Sequence, residues 1–356
     1  MYWVEGMSIW PTVLLRVLAA IVSGVGIVKV AADMRMLTRT VDHELRDYDA
    51  ADFARAHVAE SNTTRAGGFR SWMSRAFAWL LDPEWNTSSN AHAEFVDSWA
   101  GFKERARFRR LCLRAARNAA IYYALTGGLF ALLGGERVPT RGEASYVVER
   151  ATLFLAIVTL VFLMFLVLRT ATVTKAFLRR MEHFRPESWP QPALDRCSKA
   201  TGLPRAESAR IVVVCVAHRI ASCVGRFIWY PAISVSLLIV SRSGLFARWS
   251  WPAALVVTFC ACFGLLLISA RNIRRVAQKL RENEIHGLTM ARLEKMGDDS
   301  YGRRITLAIE ELGAIRTGVF APVLEHPLLR AGVLPVLGLS ANSIAETVVP
   351  LLTRMT

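Results

Sequence analysis

Five stretches of the chain are apolar for long enough to raise the question of crossing a bilayer. A transmembrane helix needs about 20 mainly apolar residues, because a helix pairs every backbone N–H and C=O across about 30 Å of hydrocarbon. Residues 151–168 (ATLFLAIVTLVFLMFLVL) and 251–270 (WPAALVVTFCACFGLLLISA) carry no charge and predict two spans outright. Residues 118–134 are shorter and include Gly127, Gly128 and Gly134, but they continue a helical pattern that starts near residue 91. They are expected to enter the membrane as one uninterrupted helix. Residues 227–240 (FIWYPAISVSLLIV) fall short at about 1.5 Å per residue and must extend back through Arg226 towards Ile220. Pro231 removes one hydrogen bond there and predicts a kink, to be accommodated by neighbouring helices or by Ser234. Residues 9–28 contain Arg16 and are read as an uncleaved anchor. A signal peptide is the alternative, but no basic stretch precedes the apolar run.

Between the spans the period changes. Met34, Leu37, Val41, Leu45 and Tyr48 recur at three- and four-residue steps and predict an amphipathic helix packed on another. Phe69, Trp72, Met73, Phe77 and Leu80 form a second stripe, suited to the membrane interface or to ordinary helical core. Four prolines in residues 181–209 predict a surface loop with short helices, and the apolar run IVVVCVAH within 210–226 predicts a buried helix. Ile305, Ile309, Leu312 and Ile315 share one helical face. Residues 318–338 contain three prolines and Arg330, so a compact segment docked against the inner ends of the membrane helices is preferred to a sixth span; a re-entrant element is the alternative.

Charge orients this pattern. Residues 29–117 hold 15 Lys/Arg, residues 169–226 hold 11 and residues 271–356 hold 12, whereas residues 135–150 and 241–250 hold three and two. The positive-inside rule places the three large segments in the cytoplasm and the N-terminus outside. The expected fold is all-α: a polytopic membrane protein with an N-terminal anchor helix, two transmembrane hairpins and helical cytoplasmic segments. Its divisions are an external tail (1–8), a first span (9–28), a cytoplasmic region (29–117), a hairpin (118–168), a cytoplasmic region (169–226), a second hairpin (227–270) and a cytoplasmic C-terminal region (271–356).

Composition agrees with a membrane setting: 53% of residues are hydrophobic and the mean hydropathy is +0.31. The net charge of +15 would suggest nucleic acid in a soluble protein, but cytoplasmic basic residues beside spans explain it and nucleic acid is disfavoured. Arg107, Arg109, Arg110, Arg114 and Arg117 precede the second span, and Arg271, Arg274 and Arg275 follow the fifth. These are the candidate contacts to lipid headgroups. Arg16 is the candidate intramembrane charge, expected to reach the outer headgroups along its apolar stem, or else to line a pore or pair with a neighbouring chain.

Catalytic signatures are missing: no phosphate loop, no HExxH and no nucleophile elbow occurs. Cys215, His218 and Cys223 are spread too widely around a helix to converge on a metal. Glu284, His286, Glu310, Glu311, Glu325 and His326 could supply an acid–base pair, but no spacing requires it. No catalytic residue, metal or cofactor is expected. Tyr230-Pro231, Ser241-Arg242-Ser243 with Leu245-Phe246, Trp249 to Pro252, and Gly318-x-Phe320-Ala321-Pro322 with His326-Pro327 and Leu329 to Ala331 give residues 217–338 a resemblance to an uncharacterised family of bacterial polytopic inner-membrane proteins. The resemblance implies a bacterial inner membrane and no activity. The leading expectation is a non-enzymatic, self-associating inner-membrane protein whose cytoplasmic helices bind or sense a protein partner while its membrane helices form an assembly or pore. The partners are then membrane lipids, further copies of the chain and a cytoplasmic protein. A transporter or transporter subunit is the alternative, and a membrane-bound enzyme acting on lipid the third reading.

Overall fold

A computed structural model describes residues 10–45, 95–132, 143–184, 186–241, 253–295, 299–315 and 320. The described residues are helical, with no strand among them. The elements are α1 (Trp10–Leu45), α2 (Phe95–Ala106), α3 (Phe108–Leu132), α4 (Glu143–Met181), a 3-10 turn (Pro186–Ser188), α5 (Gln191–Thr201), α6 (Arg205–Phe227), α7 (Trp229–Val240), α8 (Ala253–Glu294) and α9 (Asp299–Ala314). Three described segments are long and apolar enough to cross a membrane: Trp10–His43, Tyr146–Met181 and Arg205–Val240. The first of them contains the predicted anchor.

Burial along α1 explains why this helix packs as it does. Leu14, Leu18, Ile21, Val25 and Val28 are exposed, while Val13, Arg16, Ala19, Ser23 and Val30 are buried. Bulky apolar groups therefore face outwards and small or polar ones inwards, the reverse of a water-soluble helix. A Cβ added to Gly26 would lie 2.8 Å from the Cβ of Tyr230 and 3.0 Å from Leu163. Glycine is what lets α1 approach α7 and α4 this closely. The contacts of Arg16 with Glu149 and of Gly26 with Leu163 make α1 and α4 parallel, and those of Ala19 with Ser234 and Gly26 with Tyr230 make α1 and α7 antiparallel.

Two expectations are corrected. The helix expected to run uninterrupted from about residue 91 is broken at Arg107, which separates α2 from α3. The carbonyl of Arg107 accepts from the N–H groups of Arg110 and Leu111, both at 3.0 Å, and so starts a new helix. Phe95, Trp99 and Phe102 of α2 seat against Phe177 of α4 in a buried aromatic cluster that also takes Phe184 and Trp189. The kink expected near Pro231 falls at Ile228, because proline has no N–H to donate to the carbonyl of Phe227 four residues earlier. Ser234 does not repair that gap. Its hydroxyl donates to the Ala19 carbonyl at 3.3 Å and accepts from Ser23 at 3.0 Å, joining α7 to α1.

The amphipathic stripe after the first span is present: Met34, Leu37 and Val41 are buried, and Asp42 accepts from Trp99 Nε1 at 2.7 Å and from Lys103 Nζ at 3.1 Å. Ile305 and Leu312 of α9 are buried on one face, with Ile309 and Ile315 packed at its edge. The proline-rich stretch forms the 3-10 turn and α5, yet Trp189, Leu194 and Leu203 within it are buried. The helix through IVVVCVAH is α6, with Val213, Val214, Val216 and Ala217 buried. The stripe at Phe69 to Leu80 and most of residues 318–338 lie outside the described residues.

Candidate functional site

Arg16 is set by the phase of α1. It shares the inward face with Ala19 and Ser23, so its side chain is buried among the helices. Its guanidinium donates to the Glu149 carbonyl at 3.1 Å and lies 3.9 Å from the Glu149 carboxylate. Because α4 begins at Glu143, the acid stands on a helix beside Arg16 and neutralises it. The partner lies 133 positions away, beyond the reach of any spacing rule.

A cavity of about 1180 Å³ lies where α1, α2 and the start of α3 meet. Met34 and Arg35 line it from α1, Asp97 and Lys103 from α2, and Arg107, Phe108 and Arg109 from the break and the first turn of α3. The Arg35 guanidinium lies 5.9 Å from the centre of the Phe108 ring. Lys103 is taken by Asp42, and Glu104 takes both Arg107 at 2.8 Å and Arg110 at 2.5 Å. Of the predicted headgroup contacts, Arg107 and Arg109 therefore come together at this cavity, with Arg110 beside it. Arg114 and Arg117 continue along α3, while Arg271, Arg274 and Arg275 stand on α8. Arg35 was absent from the expected set. Its signal was the stripe Leu14, Leu18, Ile21, Val25, Val28, which continues at the same three- and four-residue steps through Ala32, Arg35 and Arg39, all exposed.

A second polar node lies where α6, α8 and α9 converge. Tyr301 donates to Glu207 Oε1 at 2.5 Å, and Lys295 sits 3.6 Å from the same oxygen and 4.5 Å from the centre of the Tyr301 ring. Burial first, and then the bond to the Glu207 carboxylate, raise the phenol's pKa and keep its proton in place. The Cys197 thiol is pushed up by burial and remains protonated, a poor nucleophile. Sequence reading missed this node because Glu207 and Tyr301 are 94 positions apart.

The candidate acid–base residues do not form one centre among those described. Glu284 is held by Arg210 at 3.2 Å, and burial raises its carboxyl against the lowering effect of that guanidinium. His286, Glu310 and Glu311 are exposed, and Glu325 and His326 lie outside the described residues. Cys215 is exposed whereas Cys223 is buried, so the two occupy different faces of α6. His218 stacks on Phe320 at 5.4 Å, and Arg281 covers the same ring at 5.0 Å. Phe320 is the one described residue of 318–338, and it is buried. No protein-family model, curated protein or solved structure matches the chain.

Proposed function

We propose that the chain is a non-enzymatic integral protein of the bacterial inner membrane, self-associating through its membrane helices and presenting a helical platform to a cytoplasmic protein. The observation that carries this reading is the continuity of α1, α4 and α8. Their 36, 39 and 42 residues each pass without a break between an apolar and a charged half. At about 1.5 Å per residue these helices are roughly 54–63 Å long, well beyond the hydrocarbon thickness. Displacement at the cytoplasmic ends is thereby transmitted into the bilayer by rigid elements. The N-terminus lies outside, the hairpins are residues 118–168 and 227–270, and the arginine-rich remainder is cytoplasmic, where basic residues are retained. The parallel α1 and α4 and the antiparallel α1 and α7 fit that order of crossings.

Self-association has its support on α3. Ala116, Ala120, Ala124 and Gly128 recur at four-residue steps and all are exposed, flanked by exposed Leu113 and Leu125. A Cβ on Gly127 or Gly128 would meet nothing within 4 Å. Small residues at this spacing let two helices approach closely in lipid, where dispersion contacts replace the hydrophobic drive. Among the described residues, the seam between α1, α4 and α7 is filled by Ser23, Gly26, Ser234 and Tyr230, and we assign conduction to an assembly of copies. The experiment is mass photometry of the full chain in nanodiscs, with Ala124→Ile and Gly128→Ile as the disrupting pair. Oligomers that revert to monomers in the double variant are expected; a wild-type chain that is strictly monomeric overturns the reading.

A transporter is the second reading, favoured by the helix break at Ile228 inside an apolar segment. Its mark is thermal stabilisation by one small solute in a screen.

A further inference from the structure

We infer that the cavity between α1, α2 and α3 binds the phosphate of an anionic membrane phospholipid, whose acyl chains lie along the outer stripe of α1. One face of α1 changes character once along its length. Leu18, Ile21, Val25 and Val28 are exposed and apolar, and the next residues at the same steps, Ala32, Arg35 and Arg39, end in two guanidinium groups. A lipid lying on this face has its tails on the apolar part and its headgroup beside Arg35. Arg35 lines the cavity, and Arg109 lines it from the first turn of α3.

The depth agrees. Val30 and Leu111 are the lining residues nearest in sequence to the apolar runs of α1 and α3, one residue beyond Lys29 and seven before the uncharged run that starts at Asn118. At about 1.5 Å per residue Val30 lies about 3 Å beyond the expected first span and Leu111 about 10 Å before the second, at and just outside a headgroup layer roughly 5–8 Å thick.

Charge selects the ligand. The lining carries four cations, Arg35, Lys103, Arg107 and Arg109, against two acids, Asp97 and Glu104. Lys103 is committed to Asp42 and Arg107 to Glu104. Among the described residues that leaves Arg35, steadied over Phe108, and Arg109 to meet a phosphate, and planar guanidinium groups are the side chains suited to it. Asp97 opposes a second negative charge and turns selection towards a single phosphodiester.

The test measures thermal stability and co-purified lipid for the full chain in nanodiscs of phosphatidylcholine alone or mixed with phosphatidylglycerol. Phosphatidylglycerol is expected to raise the melting temperature and to be retained. Arg35→Gln with Arg109→Gln reduces that retention about tenfold, the value of one charge-assisted hydrogen bond. Arg179→Gln, an exposed basic residue near the end of α4 and outside the cavity, changes it little and separates site binding from general surface attraction. Unchanged melting of the double variant in phosphatidylcholine alone shows that it folds. Equal retention of both lipids overturns the inference, as does equal loss in Arg179→Gln. Stabilisation by soluble glycerol phosphate to the same degree as by the lipid overturns the lipid source and leaves a free phosphate ester as the ligand. The inference rests on the membrane reading, but the two fail separately. A chain released from membranes by alkaline carbonate sinks both, whereas an embedded chain with no lipid preference sinks only this one.

Discussion

Around Ser23 and Gly26, α1 meets its neighbours through small side chains and a single hydroxyl pair, with Arg16 and Glu149 as the ionic contact of that seam. Beyond Met34 the same helix is held by Asp42 reaching Trp99 and Lys103, beside an aromatic cluster in which Phe95 and Trp189 are 4.3 Å apart. Farther along that side come Arg210 with Glu284, Lys279 with Glu182, and Tyr301 with Glu207. The difference teaches that the solvent chooses the means of cohesion. In the membrane setting we propose, lipid offers no hydrophobic drive and close backbone approach supplies the contact energy, whereas beside water aromatic burial and paired charges do so.

The comparison breaks most readily at Gly26. Gly26→Leu must push α7 and α4 away from α1, at about 3 kcal/mol for overpacking, while Gly24→Leu has open space and serves as the control. Unfolding in mixed detergent micelles measures both, and equal stability of the two variants would show that the close seam does not exist. On the basic side, Tyr301→Phe strips a hydrogen bond from the buried Glu207 carboxylate and should cost about 2 kcal/mol. Its effect should concentrate on proteolysis at α9, leaving the α1 seam intact; a loss spread evenly over the chain contradicts the division into two regions.

Smaller effects sharpen the contrast. A double-mutant cycle of Ser23→Ala and Ser234→Ala should return a coupling of only about 0.6 kcal/mol, as expected for hydroxyl pairs among membrane helices. A value several times larger would mean the seam depends on polar contact. The smallest change concerns pH. Burial raises the Glu284 carboxyl above its unfolded value, so its ionised form is disfavoured in the folded chain. Its contribution is fully present below the ordinary carboxylate range and is lost as pH rises through the raised value. Melting curves of wild type and Glu284→Gln across that window should diverge with rising pH, wild type losing more; parallel curves would place the carboxylate in water.

Much of this architecture was legible in the chain itself. Apolar runs, three- and four-residue periods and the distribution of arginines are local properties, and each states which solvent a segment prefers. They anticipated α1, the buried stripe at Met34, Leu37 and Val41, the apolar helix through residue 214 and the amphipathic α9. The break at Arg107 was not legible, because no helix-breaking residue marks it. The kink residue was legible only to within three positions of Pro231.

Partnership belonged to the tertiary structure. Arg16 could be seen as a charge in an apolar run, but its choice between headgroups and Glu149 depended on the rotation of α1 against α4. Arg35 and Arg109 line one cavity only because α1 and the start of α3 come together there. Sequence determines the face on which each side chain stands, since helical periodicity is short-ranged. Which faces meet is decided by the packing of distant helices, where small residues such as Gly26 let backbones approach, and no local pattern records that geometry.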